Sequence, residues 1–274
     1  MKALVISMKT SILKSKAKVN KVIYLLGIYD HFPSYINYTI PSVQSYAESV
    51  NADVVFKYLP GQKLLERNQE NFQHLNINYS PLTTRDYWDT FTVTKMNQRC
   101  WYKFSVMQDF YESDYEKAIV IDLDILIHKE TKNIFDEIDN NFLISKCDRH
   151  LIRAYTGELM KVAQQRNDSS MIEKLNKQPF LFNGGFWACD KKFVKKFIKY
   201  IIPPDRSINH FADQGLMTYK LLESDLDFKI IPAEVHANPL LVNFLPMFAH
   251  FTCARHKSEI LNFLDKHSDY NGKF

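Results

Sequence analysis

Two aspartates, Asp122 and Asp124, interrupt the apolar segment 118–127, which otherwise has the β-branched composition of a strand. A continuous apolar run of this kind is typical of a strand that is buried on both faces of a sheet. Burying two carboxylates there costs free energy unless a positive charge compensates for their desolvation. Because side chains two residues apart point to the same side of a strand, both carboxylates could hold one cation. Oxygen ligands favour Mg²⁺ or Mn²⁺, whose coordination is commonly completed by substrate phosphates.

A second Asp-x-Asp sequence, Asp225-Leu226-Asp227, lies in a polar segment. Short acidic motifs recur by chance, and this one is interpreted as a surface turn before a strand. The apolar context, rather than the motif alone, therefore makes Asp122 and Asp124 the candidate metal or phosphate site.

Two further segments carry polar groups that could contact a substrate. Asn183-Gly184-Gly185 predicts a tight turn that lets a ligand approach the backbone, and the Asn amide suits sugar hydroxyls. A simple hairpin turn is the alternative. Asp213 and Gln214 begin a predicted helix, where Asp213 could serve only as an N-cap.

Basic residues and a histidine complete the set of candidates. His250 lies in a short apolar segment, where it is either a core residue or a metal ligand. Arg255, His256 and Lys257 follow closely and could hold a phosphate. Lys103 lies on the helix before the two aspartates, where it could offset phosphate charge or simply extend to the surface.

The composition is that of an ordinary globular protein of 274 residues, with 46% hydrophobic, 24% charged and 14% aromatic residues. We predict a single domain over residues 21–274, preceded by a basic N-terminal arm or extra strand over residues 1–20. The lysines of this arm are either solvated or in contact with an anionic membrane surface. The net charge of +4 is small, and no basic stripe interleaves with aromatics, so no nucleic-acid partner is expected.

Cysteine usage and hydropathy indicate the cellular compartment. The four cysteines are far apart and form no Cys-x-x-Cys pair, which fits a reducing cytosol rather than a disulfide framework or zinc knuckle. No signal-peptide pattern is recognised, and no apolar run reaches about 18 residues, so no transmembrane helix is expected. A cytoplasmic location is therefore predicted.

Hydrophobic periodicity predicts an α/β fold. A strand over 22–28, a helix with Pro41 in its first turn and a strand over 53–58 form a βαβ unit, which indicates a parallel sheet. The helix over 131–138 is expected to be capped by Thr131. The other predicted elements are helices over 93–111, 193–202 and 213–222, strands over 142–146, 228–231 and 248–252, and a turn feeding a strand over 182–189.

Six motifs follow in a characteristic order: SVQSYAESVNADVVF, WYKFSVMQDFYESDYEKAIVIDLDILI, IFDEI, FNGGFWACDKKF, ADQGLMTYKL and HFTCARHK. Together they resemble the GT-A-fold glycosyltransferases over roughly residues 21–260, especially family 8 with its glycogenin-like and bacterial galactosyl- or glucosyltransferases. The resemblance implies a Rossmann-like α/β/α sandwich with a mostly parallel central sheet. It also implies transfer of a hexose from a nucleotide-diphosphate sugar, a UDP-sugar, to a hydroxyl of a glycan or glycoconjugate, with retention of configuration.

The resemblance also assigns roles to individual residues. Asp122, Asp124 and His250 would bind Mn²⁺ or Mg²⁺, and Leu123 would lie beside the ribose. The remaining roles fall into three groups: a nucleotide pocket (Gly27, Ile28, Tyr29), contacts with the donor and its pyrophosphate (Lys103, Lys257), and the surroundings of the sugar and the reacting carbon (Asn183, Asp213, Gln214).

Some positions depart from the family pattern. The family commonly has Asn-Ser-Gly where this chain has Asn183-Gly184-Gly185, and its last motif usually reads His-x-x-Gly-x-x-Lys. Here Cys253 replaces the glycine and Lys257 falls one place late, so either Arg255 or Lys257 could contact the pyrophosphate. Three alternative functions remain: a haloacid-dehalogenase-type phosphatase, a nucleotidyltransferase acting on sugar phosphates, and a non-catalytic nucleotide-sugar or glycan-binding module.

Overall fold

A computed structural model gives the fold of most of the chain. It describes residues 19–27, 35–58, 78–81, 103–138, 141–147, 149–177, 180–201, 212–251 and 254–270. The N-terminal arm up to residue 18 and the first part of the helix predicted over 93–111 lie outside the described residues. The division into an arm and a single domain therefore stays a prediction.

The described strands form two sheets. Their bounds are β1 Lys21–Gly27, β2 Asp53–Tyr58, β3 Asn78–Pro81, β4 Lys117–Asp122, β5 Ile125–Ile127, β6 Phe142–Lys146, β7 Phe182–Asp190, β8 Phe228–Ile230, β9 His236–Ala237 and β10 Phe248–His250. Seven of them form the main sheet in the order β3-β2-β1-β4-β7-β6-β8, and a small sheet has the order β5-β10-β9. In the main sheet only β7 runs antiparallel to its neighbours, so the predicted mostly parallel sheet is confirmed.

Helices cover both faces of the main sheet. Their bounds are α1 Ile36–Ser49, α2 Lys103–Glu112, α3 Arg149–Gln165, α4 Ser169–Lys177, α5 Lys191–Ile201, α6 Ala212–Ser224, α7 Ala254–Lys257 and α8 Ile260–Lys266, with 3₁₀ turns at Ile134–Glu137 and Ser268–Tyr270. One apolar core lies between the sheet and helices α2 to α6, and the other lies against α1 and α8. This is the predicted α/β/α sandwich.

Residue alternation along the central strands explains why they are so uniformly apolar. In β1, Val22, Tyr24 and Leu26 belong to the first core, whereas Ile23 and Leu25 belong to the second. Side chains of a strand alternate between the two faces, so a strand covered on both faces needs apolar residues at every position. The apolar segment that precedes Asp122 therefore has the burial that its sequence predicted.

The βαβ unit is present, but Pro41 does not lie in the first turn of its helix. Helix α1 begins at Ile36, five residues earlier, because buried Ile36 and Ile40 extend its apolar face. A proline inside a helix removes one backbone hydrogen bond and costs about 3 kcal/mol or more. The burial of these isoleucines evidently offsets that cost.

Two other local predictions were wrong. Residues 131–138 contain only a short 3₁₀ helix, and its N-cap is Asn133, whose Oδ1 accepts a hydrogen bond from the amide of Phe135 at 3.2 Å. The Thr131 hydroxyl instead donates to the carbonyl of His128 at 2.6 Å. The segment Asn183-Gly184-Gly185 is not a turn but the fully buried beginning of strand β7.

The orientation of β7 brings its first residues to the edge of the sheet where the parallel strands end. Leu26 of β1 is in register with Asp122 of β4, so both strands reach the same edge. Because β7 is antiparallel to β4, Asn183 lies at this edge too. The small sheet continues from the same edge through β5.

Candidate metal centre

Asp122 and Asp124 lie at the junction between the two sheets. Strand β4 ends at Asp122, Leu123 and Asp124 form a turn, and β5 begins at Ile125. The amide of Leu123 donates to the carbonyl of Leu26 in the main sheet at 2.8 Å, whereas the carbonyl of Asp124 accepts from the amide of Phe251 at 3.1 Å. The prediction that one continuous strand carries both aspartates was therefore wrong, because each backbone is bonded to a different sheet.

The junction nevertheless brings the predicted metal ligands together. Ligand atoms of Asp122, Asp124 and His250 all lie within 4.8 Å of one another. His250 reaches the site because β10 pairs with β5 and places His250 opposite Ile125. The Asp124 and His250 side chains are only 3% and 5% exposed, which makes the pair costly to keep without compensating charge.

Two lysines supply compensating charge. The ammonium of Lys103 lies 2.6 Å from Oδ2 of Asp122 and 3.3 Å from the carbonyl oxygen of Gly184. The ammonium of Lys257 lies 2.8 Å from Oδ2 of Asp124. Each aspartate is thus paired with one lysine from a helix that lies beside the junction.

The carboxylate of Asp124 is held in its ionised form. Burial raises the pKa of Asp124, but the Lys257 ammonium and neighbouring His250 outweigh burial and hold that pKa well below its ordinary value of 3.8. A carboxyl whose pKa is lower in the folded than in the unfolded protein stabilises the fold above its unfolded pKa, and this contribution is lost as the pH falls.

This lowered pKa predicts how acid affects stability. We expect the difference in free energy of unfolding between the wild type and Asp124→Asn to be largest above about pH 4 and to shrink as the pH falls below the unfolded pKa near 3.8. Urea unfolding curves recorded from pH 7 down to pH 2.5 measure this difference. A difference that stays constant across that range would contradict the ion pairing of Asp124.

Glycine at position 185 makes room for His250. A Cβ atom at this position would lie 2.1 Å from Cε1 of the His250 ring, far inside van der Waals contact. A glycine within a strand often marks a place where another group approaches the backbone closely. At Gly185 that group is the imidazole of His250.

The candidate metal ligands fit a divalent cation. Within the described part of the chain, Oδ1 of Asp122 is buried and has no hydrogen-bond partner. Two carboxylates and an imidazole form a donor set that suits Mn²⁺ or Mg²⁺, and Asp122 would gain a partner for its buried oxygen. Asp122, Asp124 and His250 are therefore the residues that can hold the ion.

A cavity of about 180 Å³ lies beside the metal centre. Its polar walls include Ser145, Cys147, Asn183, His236 and Asn238. The carboxamide oxygen of Asn183 accepts from the amide of Gly185 at 2.9 Å, which fixes the Asn183 side chain within strand β7. Its other walls include apolar Ile231 and Val242, and its volume is smaller than the roughly 300–1,000 Å³ of a typical ligand pocket.

Of the residues predicted to surround the sugar, Gln214 is also connected to this cavity. Its Oε1 lies 3.4 Å from Sγ of Cys147, which donates to it. Asp213 belongs to helix α6, but its side chain lies outside the described part of the structure. The sugar contacts of Asn183, Asp213 and Gln214 therefore stay predictions.

The predicted nucleotide pocket is described only in part. Gly27 is the last residue of β1, at the edge that carries the metal centre, whereas Ile28 and Tyr29 lie outside the described residues. The Leu123 side chain has no exposed surface and belongs to the second core. Its contact with a ribose, like the nucleotide contacts of Gly27, stays a prediction.

The sequence interpretation missed His236 and Ser145, which lie next to the predicted ligands. Nδ1 of His236 is 2.6 Å from the Ser145 hydroxyl, and its ring centroid is 5.0 Å from that of His250. Burial first, and then His250, lower the pKa of His236 well below 6.5. Strand β9, which carries His236, is only two residues long, so no periodic pattern marks it.

The exposed acidic motif behaves as predicted. Asp225 lies in a turn with φ of 51° before β8, and its side chain is 77% exposed. Its carboxylate pairs with Lys174 at 2.5 Å on the surface. Context therefore distinguishes the two Asp-x-Asp sequences of this chain.

Comparison with known proteins identifies the fold. No protein-family model and no curated protein matches the sequence. This chain is similar to the apo structure of WbbM, a bifunctional glycosyltransferase, with a TM-score of 0.50 and 15% sequence identity. The similar region covers 89% of this chain and 47% of the WbbM chain. At this identity the similarity concerns the fold alone, and the predicted GT-A fold is confirmed.

Two further solved structures are similar to this chain, with slightly lower TM-scores. The galactosyltransferase LgtC, in complex with donor and acceptor sugar analogues, has a TM-score of 0.49 at 12% identity and covers 85% of this chain and 87% of that chain. Core-mannan synthase A (Ktr4) from Aspergillus fumigatus, in its Mn/GDP form, has a TM-score of 0.47 at 10% identity. The similar region covers 76% of this chain and 71% of the Ktr4 chain.

Among the helices that the structure describes, none has the length and apolar character needed to span a bilayer.

Proposed function

We propose that this protein is a metal-dependent glycosyltransferase that moves a hexose from a nucleotide-diphosphate sugar, a UDP-sugar, to a hydroxyl of a glycan or glycoconjugate. The observation that carries the proposal is the convergence of Asp122, Asp124 and His250 within 4.8 Å at the carboxyl edge of the parallel strands. In open α/β sheets, ligands bind at this edge. A cavity of about 180 Å³ lined by Asn183 and His236 lies close to these side chains, since the His236 and His250 ring centroids are 5.0 Å apart.

Charge at this edge suits a departing nucleotide diphosphate. The cation, Mn²⁺ or Mg²⁺, supplies Lewis-acid stabilisation of the negative charge that develops on the leaving oxygen. Asp122, Asp124 and His250 hold this cation, while the ammonium groups of Lys103 and Lys257 lie within hydrogen-bond distance of the two carboxylates. Both lysines can therefore contact phosphate oxygens close to the cation.

Residues near the cavity contact the hexose in this proposal. Asn183 and Gln214 orient the hexose through their carboxamides, and Asp213 lies next to Gln214 in the chain. A retaining reaction, as the family resemblance implies, uses Asp213 and Gln214 for positioning on the face of the leaving group. In an inverting reaction Asp213 would instead act as the general base that accepts the proton of the acceptor hydroxyl.

A product analysis distinguishes this proposal from its alternatives. The protein is incubated with UDP-sugars and GDP-sugars in the presence of Mn²⁺, with and without candidate acceptors. We expect slow release of UDP that an acceptor accelerates. Release of inorganic phosphate indicates a phosphatase, formation of a nucleoside triphosphate from pyrophosphate indicates a nucleotidyltransferase, and saturable binding without products indicates a binding module.

Replacing His250 with Ala is expected to weaken Mn²⁺ binding in the presence of UDP by about tenfold or more, because one of three protein ligands is lost. The melting temperature should change less, since the site lies at the edge of the core. Isothermal titration and thermal denaturation measure the two effects, with His267→Ala as a control on the C-terminal segment. A lower melting temperature with unchanged Mn²⁺ affinity would show that His250 is only a core residue.

We also propose a cytoplasmic location, with peripheral membrane contact through the N-terminal lysines. Among the described residues Cys189 is buried and has a free thiol, and burial raises the pKa of that thiol well above its ordinary value. Free thiols are typical of a reducing compartment. Sedimentation with vesicles of anionic and of neutral lipid, with and without residues 1–18, tests the contact.

A further inference from the structure

Helix α5 has one buried apolar face and one exposed face of lysines. Its sequence, KKFVKKFIKYI, contains no acidic residue, and its apolar side chains pack in the first core. All of its exposed residues are lysines, which we call the lysine row: Lys192, Lys195, Lys196 and Lys199. Protein surfaces usually mix both signs of charge, so a helix face with one sign alone requires an explanation.

The lysine row brings like charges together. Residues three or four positions apart are neighbours on a helix, so Lys192 and Lys199 each lie beside both Lys195 and Lys196, and like charges at this spacing destabilise a helix. The row is about 10 Å long, which is also about the Debye length at 0.1 M salt. The four charges therefore act together on any anionic surface that meets the helix.

Acidic residues border the lysine row at the beginning of α5. The Lys191 ammonium donates to the carbonyl of Ser113, and the Lys191 amide donates to the carbonyl of Glu116 at 2.9 Å. Three acidic residues of this neighbouring segment are exposed: Glu112, Asp114 and Glu116. Because each later turn of α5 rises about 5 Å along the helix axis, the positive surface is strongest at Lys195, Lys196 and Lys199.

The lysines of other helices are paired, unlike those of the row. Every lysine of α3, α4 and α6 forms an ion pair with an N–O distance of 2.5 to 2.7 Å: Lys161 with Glu158, Lys174 with Asp225, Lys177 with Glu173 and Lys220 with Glu223. Within the described part of the chain, no carboxylate pairs with a lysine of the row. Lys199 contacts only the Tyr200 ring, whose centroid is 5.3 Å from the ammonium.

We propose that the lysine row is a docking surface for an anionic lipid bilayer, separate from the contact assigned to the N-terminal arm. Anionic headgroups attract each nearby lysine, and the attraction adds up along the row. Because the apolar face of α5 is buried in the core, the helix lies on the headgroups without entering the hydrocarbon. Neither the metal centre nor the cavity takes part, so the inference is independent of the proposed glycosyltransferase activity.

The side chains of the row favour a bilayer over other anionic partners. A compact phosphate group is often held by the planar guanidinium of arginine, whereas lysine is a flexible point charge. Nucleic-acid-binding domains combine a strongly basic charge with aromatic contacts to bases. This chain has a net charge of only +4, and the exposed residues of α5 are lysines alone. A flat anionic surface requires nothing more than positive charge on one face.

Charge-matched double variants of the full chain test the docking surface. Lys195→Gln/Lys196→Gln removes two charges from the row, and Lys161→Gln/Lys177→Gln removes two charges that are paired with acids. Sedimentation with phosphatidylcholine vesicles, with and without phosphatidylglycerol, measures binding. We expect the first variant to bind phosphatidylglycerol vesicles about 10- to 30-fold more weakly than the wild type, and the second to stay within about threefold. The N-terminal arm is present in every variant, so the difference belongs to α5.

Melting temperature and salt dependence exclude other causes of weak binding. Lys195→Gln/Lys196→Gln relieves like-charge repulsion, so its melting temperature should equal or slightly exceed that of the wild type. Wild-type binding should weaken as the salt concentration rises. Equal vesicle binding by the two double variants, or no binding by the wild type, would show that the row is merely solvated and would overturn the proposal. Preference of the wild type for a DNA duplex over phosphatidylglycerol vesicles at equal phosphate concentration would overturn it too.

Discussion

Replacing Asp124 with Asn is expected to abolish metal-dependent UDP binding and to lower kcat/KM by about 10³-fold or more. Metal-ion stabilisation of a leaving group is worth several kcal/mol, and each 1.4 kcal/mol corresponds to about tenfold in rate. The neutral amide also leaves the Lys257 ammonium, now 2.8 Å from a carboxylate oxygen, without its anionic partner. Both effects follow from removing the charge of a side chain that is only 3% exposed.

The second Asp-x-Asp sequence provides a matched control. Asp227→Asn removes an equivalent charge from an exposed residue that precedes β8, and it should leave UDP binding and turnover unchanged. Isothermal titration of UDP at saturating Mn²⁺ and an assay of UDP release compare the two variants. Unchanged metal-dependent UDP affinity in Asp124→Asn would contradict the assignment of Asp124 as a metal ligand.

Replacing Gly185 with Ala is expected to be as damaging as removing His250 itself. The added methyl group would meet Cε1 of His250 at 2.1 Å and both ring nitrogens within 2.8 Å, so the imidazole must leave its position. Overpacking of this kind in a buried strand typically costs about 1–3 kcal/mol of stability. We expect Mn²⁺ affinity in the presence of UDP to fall at least as far as in His250→Ala.

Gly157 provides the matched glycine control. It lies on the exposed face of α3, and a Cβ atom there would meet nothing within 4 Å. Gly157→Ala should raise stability by about 0.5–1 kcal/mol, because alanine favours the helix, and should not affect Mn²⁺ binding. Chemical denaturation and Mn²⁺ titration of both variants test the pair. Normal Mn²⁺ affinity in Gly185→Ala would refute the close packing of His250 on this strand.

The fold was predictable where local signals are strong. Strands β2 and β6 have the bounds that their β-branched runs predicted, and β1 differs by one residue at each end. The insertion of antiparallel β7 between β4 and β6 was not predicted, because strand order depends on contacts between residues far apart in the chain. The start of α1 was missed because burial of its first turn overrides the usual position of a proline.

The charged residues of the candidate site were predictable from the sequence. The turn and the neighbouring residues that position them were not. Asp122 and Asp124 were recognised because charge within an apolar segment is unusual, whereas Lys103 and Lys257 were assigned through the motifs that resemble family 8. The turn at residues 123–124 was not recognised, because it results from hydrogen bonds to two separate sheets. His236 was not recognised either, because it reaches the ring of His250 through the two-residue strand β9, which no sequence pattern marks.

The pairing of each aspartate with a lysine affects how strongly the cation and the nucleotide influence each other's binding. Two ammonium groups already balance Asp122 and Asp124, so a lone Mn²⁺ enters an electrically neutral environment and gains little. A nucleotide diphosphate offers both lysines new anionic partners and releases the carboxylates. Cation and nucleotide should therefore bind with positive cooperativity, each raising the affinity of the other by the same factor. In the folded protein the two ammonium groups thus neutralise the carboxylates where a bound cation would otherwise do so.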